Sequence, residues 1–129
     1  MYLRFETEEI HINSGKPKGI FTLAYDLIEE KTLTLEEERT LTNILCWFGD
    51  NLQVPSRFSR KRNNSHKNTL GISWLKPDAN DVVARFWELK SILENSGYNI
   101  NVMKIERPGK VVYEDEQQLV AIPFNGKKF

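Results

Sequence analysis

Residues 70–102, LGISWLKPDANDVVARFWELKSILENSGYNINV, decide the fold. Leu70, Ile72 and Trp74 alternate with Gly71, Ser73 and Leu75, so apolar groups fall on both faces of an extended segment. That pattern predicts a strand in the interior of a sheet, covered above and below. Pro77 and Asp78 end the strand, and Asp78 is placed to cap a helix. Val82, Val83, Phe86, Leu89, Ile92 and Leu93 then recur at helical spacing, and Gly97 supplies the stop. Tyr98 to Val102 alternates with period two once more. Strand, helix and strand over 70–105 therefore form a crossover unit, right-handed if the two strands are parallel neighbours.

Upstream, Tyr2-Leu3-Arg4-Phe5-Glu6 alternates and Ile10-His11-Ile12 follows, which predicts one bent or two short strands closed by Asn13-Ser14-Gly15. Pro17 suits the first turn of a helix, where its missing N–H has no partner to lose, so a first helix is expected over roughly 17–30. Thr34-Leu35-Glu36-Glu37 is a capping box. The Thr34 hydroxyl can accept the Glu37 N–H while the Glu37 carboxylate reaches back, and Glu36 to Glu38 favour the positive end of the helix dipole. Leu41, Ile44, Leu45 and Phe48 make the buried stripe of this second helix, with Gly49 as its expected end. Downstream, two more strands are expected, near 110–113 and 118–124, around the acidic Glu114-Asp115-Glu116. The expected fold class is α+β: a single domain over 1–129, with a mostly antiparallel sheet of about five strands and three helices. The order is strand(s), helix, helix, strand, helix, strand, strand, strand, with a basic, flexible loop at 50–69.

Composition narrows the function classes. The chain has 129 residues, of which 40% are hydrophobic and 28% charged, a mix that excludes collagenous and wholly disordered chains. The longest apolar runs fall far short of the roughly 20 residues that cross a bilayer, so a soluble, cytoplasmic protein with no membrane partner is expected. A single cysteine, Cys46, excludes an internal disulfide and a multi-cysteine zinc site. The eighteen basic and eighteen acidic residues cancel overall but not locally. Residues 1–50 carry five basic and ten acidic side chains; residues 51–77 carry six basic ones and none acidic; residues 78–129 carry seven and eight. The middle segment is thus +6 against −5 and −1 for its flanks.

The sequence resembles a family of small bacterial α+β proteins of uncharacterised function, known as hypothetical proteins. The likeness is carried by Gly71-Ile72-Ser73-Trp74-Leu75-Lys76, by Arg107-Pro108-Gly109-Lys110-Val111-Val112-Tyr113-Glu114-Asp115-Glu116-Gln117 and by Ala121-Ile122-Pro123-Phe124. The opening over 15–21, with Pro17, Gly19 and Phe21, shares it, and the loop at 50–69 does not. The resemblance implies the fold class and no activity, cofactor or site residue.

The candidate site is the basic loop. Arg57, Arg60, Lys61, Arg62 and Lys67 can neutralise phosphates, Asn and Ser side chains can donate to backbone oxygens, Phe58 can stack on a base, and His66 sits among the cations. A nucleic acid or an acidic protein surface is the expected partner, and a solvated loop balancing the acidic helices is the plain alternative. Glu114, Asp115 and Glu116 offer a second chemistry, a metal-dependent phosphoester hydrolase or nuclease, if partners such as His11 or Glu6 converge on them. A polar hairpin turn explains them without chemistry. His11, between Ile10 and Ile12, is expected to face away from both, at the surface. Gly15-Lys16-Pro17-Lys18-Gly19 lacks the spacing of a phosphate loop, though Lys16 and Lys18 could hold an anion at a helix start. Trp47 and Trp87, each beside a phenylalanine, widen the core or expose aromatics for a homodimer. No nucleophile, base and orienting group can be assembled, so a non-enzymatic binding module without cofactor is the expected function.

Overall fold

The computed structural model describes residues 1–15, 17–55 and 71–124. The elements in chain order are β1 (Tyr2–Thr7), α1 (Ile20–Glu29), α2 (Leu35–Asn51), β2 (Ile72–Leu75), α3 (Asn80–Asn95), β3 (Ile100–Ile105), β4 (Lys110–Glu114) and β5 (Gln118–Ile122). The five strands make one antiparallel sheet in the order β3-β1-β2-β5-β4. The α+β class and the element order are as the sequence predicts. The crossover differs: β2 and β3 are not neighbours, because β1 lies between them. β2 is flanked by β1 on one edge and β5 on the other, the interior position that a strand apolar on both faces suits. No helix among the described residues is long and apolar enough to cross a membrane. The residues group into two compact units, one of Met1–Arg4, Gln53–Asn80 and Lys104–Phe129, the other of Phe5–Leu52 and Asp81–Met103.

In the first unit, β2 and β5 pair with Ile72 opposite Ala121, Ser73 opposite Val120, Trp74 opposite Leu119 and Leu75 opposite Gln118. Opposite residues share a face. Ser73, Leu75, Gln118 and Val120 therefore lie on one side, and Trp74, Leu119 and Ala121 on the other. Both sides are buried: Val120 and Ala121 are each 0% exposed. β4 pairs with β5 through a bulge between Val111 and Tyr113. A bulge and the charged Lys110 and Glu114 protect this outer strand against pairing with another chain. Gly109, at the entry to β4, has φ +135°, and a Cβ there would sit 2.0 Å from the Ile122 carbonyl oxygen. Only glycine fits so close to a paired backbone.

In the second unit, four phenylalanines from β1 and all three helices converge. Phe86 of α3 stacks on Phe5 at 5.2 Å and contacts Phe48 of α2 at 4.7 Å and Phe21 of α1 at 5.5 Å. Such ring pairs add about 0.5–1.5 kcal/mol each beyond their buried area. Leu23, Ala24, Leu27, Leu41, Leu89 and Leu93, all within 2% of full burial, complete this core. The capping box of α2 forms as expected: Thr34 Oγ1 accepts from Glu37 N at 3.1 Å, and Glu37 Oε1 accepts from Thr34 N at 2.9 Å.

Several local expectations are corrected. α1 starts at Ile20, and Pro17 instead bridges Ile10 in an antiparallel pair, because the Lys18 N–H is spent on the Glu9 carbonyl. Ile10-His11-Ile12 is a loop tip with Ile10 57% and Ile12 98% exposed, while His11 is half-buried, the reverse of the expected facing. Gly49 lies inside α2, which runs on to Asn51; nothing within 4 Å crowds it, and a single glycine weakens a helix without ending it.

Candidate functional site

Arg57, Phe58, Arg60, Lys61, Arg62, His66 and Lys67 lie outside the described residues, and the structure is informative about what holds the two ends of their segment. On the carboxyl side the chain enters β2 at Ile72, opposite Ala121 of β5. On the amino side the carbonyl of Gln53 accepts a hydrogen bond from Gln118 Nε2, the first residue of β5. The two anchors are thus three positions apart along one strand, about 10 Å.

Gln118 is the centre of this arrangement. It is 3% exposed, and each of its polar atoms has a partner. Its amide nitrogen donates to Gln53 O and stands 3.5 Å from Asp115 Oδ2, while its Oε1 accepts from Ser73 Oγ at 3.2 Å. A buried amide left unsatisfied would cost about 1–3 kcal/mol, so these bonds fix the side chain. Beside it, Arg4 of β1 donates from Nη1 to the Ser73 carbonyl at 2.8 Å.

The acidic turn is built into the same network. Asp115 Oδ1 accepts from the Gln117 and Gln118 N–H groups at 2.8 and 2.9 Å, and Oδ2 accepts from the Tyr113 hydroxyl at 2.8 Å. This is an aspartate turn closing the β4–β5 hairpin. Partial burial pushes the Asp115 carboxyl upward, but the Gln117 N–H, the Tyr113 hydroxyl and the Gln118 N–H outweigh it and hold the pKa below the usual value. Tyr113, donating to that carboxylate, is raised. Glu114 pairs with Lys76 at 2.6 Å, and the bond raises the lysine's pKa. Neither His11 nor Glu6 belongs to the unit that holds this turn. Among the described residues, no three His, Cys, Asp or Glu side chains gather as metal ligands would.

The other candidate groups are engaged within the second unit. Lys18 Nζ lies 2.7 Å from Asp26 Oδ2, a bond that raises the lysine's pKa, so this cation at the start of α1 already has its counter-charge. Lys16 lies outside the described residues. Trp47 carries the Arg85 guanidinium 5.2 Å above its ring, and Trp87, 43% exposed, carries Lys90 Nζ at 5.6 Å. Both cations come from α3 and are paired in turn, Arg85 to Glu88 and Lys90 to Glu94. The long aliphatic stems thereby cover aromatic surface that the sequence leaves open for a partner. Cys46 is exposed on α2.

Sequence reading missed Gln118, Ser73 and Gln53. The available signal was a glutamine opening the run Leu119-Val120-Ala121-Ile122, since an amide at the head of a fully buried strand must find partners. Comparisons with family models, with curated proteins and with solved structures each find no match to this chain.

Proposed function

We propose that the chain is a non-enzymatic binding module that grips single-stranded nucleic acid through Arg57, Phe58, Arg60, Lys61, Arg62, His66 and Lys67. One observation carries the reading. Two carboxylates of the acidic turn nearest the amino-side anchor are committed elsewhere than to the five cations of 57–67: Asp115 to Tyr113 and two backbone N–H groups, Glu114 to Lys76. Placing many cations on one stretch of chain costs self-repulsion, and phosphates relieve it with release of counterions. The cations over half-buried Trp47 and exposed Trp87 support internal packing for those rings, and the reading includes no homodimer. A cytoplasmic setting suits the single exposed thiol.

Titration of a labelled single-stranded oligonucleotide at 50 and 200 mM salt tests the proposal. With about four cations on phosphates, the logarithmic salt slope is about −2.8 and affinity falls several tens-fold over that range. The combined Arg60→Ala, Lys61→Ala, Arg62→Ala variant is expected to bring the slope to about −0.7. Equal affinity and slope in parent and variant would overturn the role of the segment. If the oligonucleotide does not bind and polyglutamate does, with the same salt dependence, the partner is an acidic protein surface instead.

A further inference from the structure

We draw no further inference here: the strongest candidate, the exposed apolar tip that Ile10 and Ile12 present on the loop between β1 and α1, carries nothing because nothing in the structure shows what covers it.

Discussion

Substituting Gly109 by alanine tests how tightly the β4–β5 hairpin is built. The added Cβ would lie 2.0 Å from Ile122 O, 2.6 Å from Ile122 C and 3.0 Å from Pro123 Cα, all of them backbone atoms. Two terms add. A φ of +135° is nearly closed to an L-residue and costs of order 1–3 kcal/mol. The clash can be relieved only by opening the pair between Lys110 and Ile122, which forfeits about 1–2 kcal/mol of hydrogen bonding and packing. A total near 4 kcal/mol, set against an unfolding entropy of about 0.27 kcal/mol/K for 129 residues, lowers Tm by about 15 °C. Thermal unfolding followed by circular dichroism measures it. Gly49→Ala is the internal contrast, since that position lies within α2 with no atom inside 4 Å of a Cβ, and helix propensity then raises Tm by about 3–4 °C. A Gly109→Ala protein melting within about 3 °C of the parent would show that the close approach to Ile122 is not a constraint of the fold.

Removing the α2 cap by Thr34→Ala leaves the Glu37 N–H without its acceptor and is expected to lower stability by about 1 kcal/mol, read as a Tm lower by about 4 °C; an unchanged Tm would mean the box is not formed in solution. Asp115 gives a pH prediction whose sign follows from its depressed pKa: the stabilisation is present above the unfolded value of about 3.9 and is lost as pH falls through the folded value. In urea melts between pH 6 and 2.5 the parent should therefore lose its advantage over Asp115→Asn toward the acid end, and a constant gap across that range would refute the assignment.

Much of the fold was legible because its signals are local. Ile72-Ser73-Trp74-Leu75 shows apolar groups on both faces, and β2 is an interior strand; Thr34 and Glu37 stand at capping-box spacing, and the box is there. What was not legible depends on distant chain. Pro17 has the chemistry of a helix start, but the returning Glu9 and Ile10 capture this stretch as a bridge. Nothing between 70 and 102 announces that β1 will lie between β2 and β3. Gly109 looks like any turn glycine until Ile122 comes to rest against it. The site divides the same way. A run of cations is visible by counting, whereas the hydrogen bonds of Gln118 emerge only once cross-strand register puts it on the side of Ser73 and the chain at Gln53 meets it.

Many charges of the described residues are engaged within the fold. Among the described residues, Lys18 pairs with Asp26, Lys76 with Glu114, Arg85 with Glu88 and Lys90 with Glu94. The acids at the head of α2 answer a different demand: Glu36, Glu37 and Glu38 stand in the first turn, where the helix dipole favours negative charge, and Glu37 is further bound to Thr34. Glu8 takes the amides of Asn99 and Asn101. These acidic residues thus have local reasons to be where they are. Exposed pairs formed opportunistically across a surface would return less than about 1 kcal/mol each. Of the six cations among residues 51–77, Lys76 pairs with Glu114, and the five at 57–67 are the charge on which the proposed polyanion contact rests.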